Sequence, residues 1–162
     1  MTEHPHAAIL RSAYEAMERG DVAAFAGALD DEIVWHESMP GFEGDYHGRD
    51  GVLAFLGRMF AETGIEVTDL TVHHVLADES HATVLLAATM TLGDRSRTSQ
   101  YVDVYRLRDG KATEHYVTKA PRVSAVIRDY DHGDTGANSE TLQAQFKVWW
   151  TSGSTTVTEV AS

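Results

Sequence analysis

The sequence contains no cysteine among its 162 residues. This absence excludes disulfide bonds, thiolate nucleophiles and Cys-ligated zinc, and it suits a protein of the cytoplasm. Positive charge is also scarce, because 13 Lys and Arg stand against 25 Asp and Glu, a formal net charge of −12. Such an excess of negative charge disfavours binding to nucleic acid phosphates or to an anionic bilayer. We therefore expect neither nucleic acid nor a membrane as a partner.

Long hydrophobic runs are absent as well. No apolar stretch approaches the roughly 20 residues that a membrane-spanning helix needs. The first residues have neither the basic region nor the apolar run of a secretory signal peptide. The expected location is therefore the cytoplasm. The hydrophobic content of 43% is still enough for one modest core, and the length is that of a single domain.

Helical periodicity occurs three times in the first 64 residues. Apolar residues recur at helical spacing from about His6 to Arg19 and stop at a glycine, a residue type common directly after helices. Asp21 is placed to cap a second, short helix, and a third helix is predicted over 50–63. Between them, residues 33–37 predict one short strand, followed by a Gly-rich loop.

From residue 65 onward the apolar residues alternate. Turn signals divide this part into four long antiparallel strands joined by hairpins, which together with the helices predicts an α+β fold. One sheet face is uniformly apolar and should meet a core. The other face still carries Leu85, Ala87, Val102 and Val104. Because the helices can cover only one face, the sequence predicts a homodimer through the outer sheet face.

After Pro121 the pattern weakens. Residues 122–128 suggest a further strand, and Ser139 is placed to cap a last helix with Phe146, Trp149 and Trp150 on one side. From residue 151 the chain has no periodicity and is predicted to be disordered. The predicted organisation is one domain over 1–120 and a C-terminal extension over 121–162. The aromatic face of this extension is expected either to cover a pocket or to pack on a partner subunit.

Five local sequences carry a resemblance to a known family. They are Ala16–Asp21, Ile33–His36, Tyr46–Asp50, Val102–Lys111 and Glu114–Tyr116. In this order and spacing the chain resembles the nuclear transport factor 2-like superfamily, and within it the SnoaL-like polyketide cyclase branch, over about residues 6–119. The resemblance implies a cone-shaped α+β barrel, with three N-terminal helices packed in a strongly curved antiparallel sheet around a largely apolar pocket. It does not fix the reaction, because the same cone serves isomerases, cyclases, dehydratases, epoxide hydrolases and noncatalytic binding modules.

The resemblance also implies candidate catalytic residues. Relative to the ketosteroid isomerases of this superfamily, His36 falls where those enzymes keep their proton-shuttling carboxylate. Asp103 falls where they keep the protonated acid that stabilises an oxyanion. Tyr14 lies one residue away from the position of their oxyanion-hole tyrosine, and its core-facing place on the first helix favours a packing role. With Asp103 opposite it across the cone, His36 is the expected general base or acid.

The hairpin around residues 108–110 gives a separate argument from geometry. A three-residue loop pairs Asp103 with His115, with Cβ atoms about 4.5–5.5 Å apart on one face. A two-residue turn at Asp109-Gly110 pairs Asp103 with Tyr116 instead. The resemblance favours the first register, because it turns Asp103 and His115 inward. At that separation a carboxylate can orient an imidazole and favour its protonated form.

Aromatic side chains are expected to form the pocket wall. Tyr101 and Tyr105 flank Asp103 on its own face, and such a wall suits a flat, hydrophobic, oxygenated ligand. The other candidate substrate-binding residues are Trp35, Met90, Tyr46 and Tyr14. The alternative interpretation is a buried polar network that only specifies the register of the strands.

The last strand departs from the pattern of the family. Cyclases and epoxide hydrolases commonly carry an aspartate there, whereas this chain has Tyr116, Val117, Thr118 and Lys119. This difference counts against epoxide hydrolysis. Nucleotide-binding loops and metal-ligand spacings are also missing, so neither a cofactor nor a metal is expected. The sequence predicts a cofactor-free enzyme that binds a hydrophobic, polyketide-like molecule and catalyses cyclisation or isomerisation by proton transfer. The alternative is a noncatalytic small-molecule-binding or dimerisation module.

Overall fold

The structure, a computed structural model, describes residues 2–39 and 41–119. In chain order the elements are α1 (Pro5–Glu18), α2 (Val22–Gly27), β1 (Leu29–Glu37), β2 (Gly44–His47), α3 (Arg49–Thr63), β3 (Glu66–Ala77), β4 (His81–Leu92), β5 (Arg95–Arg108) and β6 (Lys111–Lys119). The strand, the last helix and the disordered end that the sequence predicts after residue 120 lie outside the described residues. They stay predictions, as does the division of the chain at residue 120.

The three predicted helices are confirmed, and local chemistry explains their ends. Pro5 opens α1, where its missing N–H costs no helical hydrogen bond. Asp21 caps α2 as expected, since its Oδ1 accepts a hydrogen bond from the amide of Ala24 at 3.0 Å. Gly64 ends α3 with a φ of 67°, a left-handed conformation that glycine adopts without strain. None of the described helices is long and apolar enough to cross a bilayer.

The six strands of the described residues form one curved, unclosed sheet in the order β2-β1-β6-β5-β4-β3. Strands β3 to β6 form the predicted antiparallel meander. The predicted antiparallel sheet also contains one parallel pair, because β1 runs parallel to β6. β2, which pairs with β1 at the edge of the sheet, occupies part of the predicted Gly-rich loop. A strand of four residues forms through its partner, so local sequence does not reveal it.

One face of the sheet, called here the inner face, packs against the helices. The buried core there includes Leu10, Phe25, Ile33, Val52, Phe55, Val84, Leu86 and Leu107. Burying each such side chain contributes about 1.5–3 kcal/mol of favourable transfer free energy. The inner-face residues of β4 are the apolar positions that alternation assigned to a core. The α+β prediction, with helices on one face of a curved sheet, is therefore confirmed.

The opposite face, called here the outer face, is also buried at its centre. Leu85, Val102 and Val104 are 0%, 1% and 2% exposed, although they lie outside the core cluster of the inner face. Thr83 and Ala87 beside them are 7% exposed. The expectation that this face is open to solvent is wrong. The homodimer predicted through this face stays a prediction.

Candidate active site

Asp103 is the centre of a group of buried polar side chains on the inner face. It lies on β5 between Tyr101 and Tyr105, and residues two apart on a strand share a face. Asp103 is 8% exposed and Tyr105 is 1% exposed, whereas Tyr101 is half-buried. The predicted Tyr-Asp-Tyr stripe is therefore present. Tyr105 is its buried end and Tyr101 is its more exposed end.

Tyr14 reaches this group from α1. Its hydroxyl donates a hydrogen bond to Asp103 Oδ2 and lies 2.7 Å from the hydroxyl of Tyr105. Since the hydrogen of Tyr14 goes to the carboxylate, Tyr105 is the donor in the second bond. The interpretation of Tyr14 as a packing residue alone is wrong. It packs in the core, and it also joins Asp103 to Tyr105.

The two buried tyrosines remain hydrogen-bond donors at neutral pH. Burial raises the pKa of Tyr14 well above its ordinary value, and the nearby charge of Asp103 raises it further. Burial and then Asp103 raise the pKa of Tyr105 in the same way. A low-dielectric site penalises phenolate, and a neighbouring carboxylate penalises it again. The proton of Tyr14 is therefore held on the hydroxyl that contacts Asp103.

His115 approaches Asp103 from β6. Its Nε2 lies 3.7 Å from Asp103 Oδ2, and the residue is 1% exposed. The imidazole stacks on the indole of Trp35, with ring centroids 3.5 Å apart, and its centroid lies 4.8 Å from that of Tyr105. The structure thus brings Asp103, His115 and Tyr105 together, and it adds Tyr14 and Trp35 to the same group.

The strand register differs from both predicted registers. The hairpin has a two-residue turn at Asp109-Gly110, with φ values of 52° and 74°. A bulge then leaves Thr113 as an extra residue in β6, so that Tyr105 pairs with His115. Asp103 is therefore displaced by two residues from the predicted partner. A shift of two keeps every side chain on its face, so Asp103 and His115 still meet as diagonal neighbours.

Three buried polar atoms at this point have no hydrogen-bond partner among the described residues. They are Asp103 Oδ1 and both ring nitrogens of His115. Buried polar groups are almost always hydrogen-bonded, and leaving one unpaired costs about 1–3 kcal/mol. A network that served only to fix the strand register would be expected to satisfy its own atoms. These three atoms keep hydrogen-bonding capacity that the described residues do not use.

His36 does not belong to this group. On β1 the inner position is taken by Trp35, and successive strand residues point to opposite faces. The imidazole lies on the outer face, with Nδ1 2.6 Å from Asp45 Oδ1 and Nε2 3.5 Å from Glu114 Oε1. The prediction that His36 faces Asp103 and His115 is therefore wrong. The alternation of Ile33 and Trp35 was the signal that places His36 outside.

The other candidates occupy more peripheral positions. The hydroxyl of Tyr101 lies 3.8 Å from Met90 Sδ, and both residues are half-buried on the inner face. Tyr46 lies on β2, where its ring stacks on Phe55 at 4.1 Å and its hydroxyl donates to the carbonyl of Phe42 at 2.8 Å. These contacts give Tyr46 a packing role at the edge of the core.

Sequence reasoning missed one acidic residue on the inner face. Glu37 ends β1 and accepts a hydrogen bond from Nε1 of Trp35 at 3.4 Å. Because residues two apart share a face, its position followed from that of Trp35. Among the described residues, no group of three or more His, Asp and Glu side chains is arranged to hold a metal ion.

A groove of about 270 Å³ lies between α1 and β3, next to this group. Its lining residues are Arg11, Tyr14, Glu15, Glu18, Leu70, Thr71 and Val72. Tyr14 therefore belongs both to the wall of the groove and to the network around Asp103. Charged side chains of α1 form one side of the groove, and apolar side chains of β3 form much of the other.

Comparisons with known proteins agree with this architecture. The solved structure of a nuclear transport factor 2-like protein of unknown function from Burkholderia pseudomallei has a TM-score of 0.63 at 23% identity, over 78% of this chain and 97% of that chain. TerC, crystallised with polyporic acid, has a TM-score of 0.64 at 18% identity, over 76% and 98%. A candidate SnoaL-like polyketide cyclase from Mesorhizobium loti has a TM-score of 0.57 at 23% identity, over 73% and 99%.

At these identities the likenesses show the fold alone. A search of curated proteins finds no match. The profile of the SnoaL-like domain matches residues 10–115, which is more than half of the chain and spans α1 to β6 as far as His115. The chain belongs to the SnoaL-like domain family.

Proposed function

We propose that this protein is an enzyme that needs no cofactor, binds a hydrophobic, oxygenated small molecule and moves a proton within it, in a cyclisation or an isomerisation. The observation that carries the proposal is the pair Asp103 and His115, buried side by side with three polar atoms left unpaired. A buried carboxylate beside an imidazole is a common arrangement for acid–base chemistry.

Each residue of the group has a role in the proposed reaction. Asp103 accepts a proton from a carbon next to a carbonyl group through Oδ1, and His115 donates a hydrogen bond or a proton to the substrate oxygen. In an isomerisation the proton returns to another carbon. In a cyclisation the new alkoxide is protonated, so the proton count balances in both cases. Tyr14 holds Oδ2 in place, which leaves Oδ1 as the reacting atom.

The proposed substrate class follows from the surroundings of this pair. Trp35, Tyr101 and Met90 offer apolar and aromatic surface on the inner face, and such surface binds flat rings. Structural neighbours named as polyketide cyclases or isomerases, and one crystallised with polyporic acid, support a polyketide-like ligand. We assign the acid–base role to Asp103 and His115, and no longer to His36, because His36 lies on the outer face.

The test measures exchange of carbon-bound protons and does not require the natural product to be known. Wild-type protein is incubated in D₂O with a panel of hydrophobic cyclic ketones and diketones, and loss of the α-proton signal is followed by NMR. Asp103→Asn is expected to reduce the exchange rate about 10²–10⁴-fold, the usual contribution of a general acid or base. The matched control is His36→Gln, which alters a histidine beside a carboxylate on the outer face and is expected to leave the rate unchanged.

Two outcomes would contradict the proposal. Full exchange by Asp103→Asn would show that this carboxylate is not the base. Binding of polyporic acid by the wild type, with no exchange of any compound in the panel, would favour the noncatalytic binding module. A titration of ligand fluorescence or absorbance measures that binding independently of turnover.

A further inference from the structure

No described residue makes a hydrogen bond to the ring of His115. Catalytic and metal-ligating histidines are commonly oriented by a hydrogen bond at the second ring nitrogen. Both ring nitrogens of His115 are buried without a partner, and Nε2 lies 3.7 Å from Asp103 Oδ2, beyond the usual length of a hydrogen bond. The orientation of this imidazole therefore depends on the side chains that pack against its faces.

Trp35 makes the closer of these ring contacts. β1 and β6 run parallel in a register that places Trp35 beside His115. Their ring centroids are 3.5 Å apart and the planes are inclined at 29°, whereas the centroid of Tyr105 lies 4.8 Å away at 47°. Trp35 is 6% exposed, and Phe25 packs edge-on against it. The plane of the imidazole thus follows the plane of the indole.

Glu37 fixes the indole in turn. Nε1 of Trp35 donates a hydrogen bond to Glu37 Oε2 at 3.4 Å, along the inner face of β1. The other carboxylate oxygen, Oε1, accepts from the backbone amides of Ser38 and Met39 at 2.8 and 2.9 Å. Two short bonds to the backbone hold the carboxylate in place, and one longer bond holds the indole. Both oxygens of Glu37 act as acceptors.

We propose that Glu37 is a positioning residue that, through Trp35, orients the imidazole of His115 toward Asp103. This role rests on the proposed function, in which His115 and Asp103 move the proton, and it involves no contact between Glu37 and the substrate. The position requires a carboxylate, because three N–H donors point at one side chain and a carboxylate offers only acceptors.

The substitution Glu37→Gln separates the two contacts of this side chain. Its amide oxygen is expected to stay with the two backbone N–H groups, which turns the NH₂ group toward Nε1 of Trp35. The indole then faces a donor and loses its anchor, whereas the backbone after β1 keeps its bonds. The matched control is Glu43→Gln, which removes the same charge from an exposed carboxylate that accepts from the amide of Gly41 at 2.8 Å.

The first readout is the NMR signal of the His115 ring, which does not depend on any substrate. An imidazole stacked on an indole lies in its ring current, so the ring protons of His115 should resonate upfield of those of an exposed histidine. Nuclear Overhauser contacts with the Trp35 indole identify the signal. We expect Glu37→Gln to move it downfield and Glu43→Gln to leave it in place. In a Trp35→Phe background, which has no indole N–H, Glu37→Gln should no longer move it.

The second readout is the exchange of carbon-bound protons in D₂O. Displacement of a reacting group by about 1 Å can cost about 10²-fold in rate. Glu37→Gln should therefore lower kcat for exchange by about 10–10²-fold and leave KM nearly unchanged, because the surfaces that bind the substrate stay in place. Glu43→Gln should change neither constant.

The two readouts distinguish this role of Glu37 from the proposed function. A moved His115 signal in Glu37→Gln supports the role even where the wild type exchanges no compound, a result that would count against the proposed reaction alone. An unmoved signal with full exchange would overturn the role and leave the proposed function intact. An unmoved signal with slower exchange would also overturn it, because Glu37 would then act on the substrate itself. A moved signal with an unchanged rate would overturn it as well, since the orientation of the ring would not serve the reaction.

Discussion

Replacing Tyr14 by Phe should reveal how strongly the buried network depends on one hydroxyl. The substitution keeps the ring, which packs edge-on against Phe25 and Tyr105. The loss is therefore confined to two hydrogen bonds, one to Asp103 and one to Tyr105. A hydrogen bond to a charged group contributes about 1.5–3 kcal/mol and a neutral one about 0.5–1.5 kcal/mol. We expect Tyr14→Phe to lower the free energy of unfolding by about 2–4 kcal/mol.

Tyr46→Phe is the matched control. The hydroxyl of Tyr46 donates to the carbonyl of Phe42 and accepts from Arg58 at a half-buried position on the rim of the core. Water can replace both partners there, so the expected cost is about 1 kcal/mol or less. Urea unfolding followed by far-UV circular dichroism measures both variants. An unchanged denaturant dependence would show that the native and unfolded states remain comparable.

A double-mutant cycle separates the Asp103 bond from the rest. In an Asp103→Asn background the hydroxyl of Tyr14 meets a neutral amide, so the bond to position 103 should contribute only about 0.5–1.5 kcal/mol, while the bond to Tyr105 contributes as before. The coupling free energy between the two positions should therefore be about 1 kcal/mol or more. Two results would contradict this reasoning: a Tyr14→Phe cost no larger than that of Tyr46→Phe, or additive free-energy changes for Tyr14→Phe and Asp103→Asn. Either would show that the bond from Tyr14 to Asp103 does not stabilise the protein, and the proposed positioning of Oδ1 would fail.

Two further predictions concern stability. The pKa values of Tyr14 and Tyr105 are raised in the folded state, so the unfolded chain loses these two protons first as the pH rises past about 10. The free energy of unfolding should therefore be constant below that pH and fall above it, by about 1.4 kcal/mol per pH unit for each tyrosine. Urea midpoints measured at increasing alkaline pH check this, and Tyr14→Phe should show a shallower decline; an equal slope would contradict it. Gly110→Ala should cost about 1–2 kcal/mol, because the φ of Gly110 is 74°. Gly57→Ala inside α3, where a Cβ meets nothing within 4 Å, should instead stabilise the protein by about 0.5–1 kcal/mol. Thermal melts measure both variants, and Tm shifts of the same sign for Gly110→Ala and Gly57→Ala would refute the argument.

Local patterns predicted the elements well. The helical stripes, the Asp21 cap and the glycine at the end of α3 depend on interactions within a few residues, and all three helices lie where those patterns put them. The long hairpin strands follow from strict alternation, which also identifies the inner face of β4. The family resemblance then supplied the curved sheet with helices on one face.

Pairing between strands that are distant in the chain was harder to predict from the sequence. The parallel contact of β1 with β6 joins residues far apart in sequence, and the edge strand β2 exists only because β1 is beside it. The two-residue turn and the bulge at Thr113 together shifted the predicted register by two, a number that preserves which face each residue occupies. Asp103 and His115 were therefore placed together correctly although their predicted pairing was wrong.

The candidate site shows the same division. The sequence by itself determined that Asp103, Tyr101 and Tyr105 share a face, because side chains alternate along a strand. Only the tertiary structure decided that Tyr14 reaches Asp103, that His36 lies outside, and that the outer face is buried. Alternation along a strand determines which neighbouring residues share a face. Which of the two faces meets the helices depends on packing between elements that are distant in the chain.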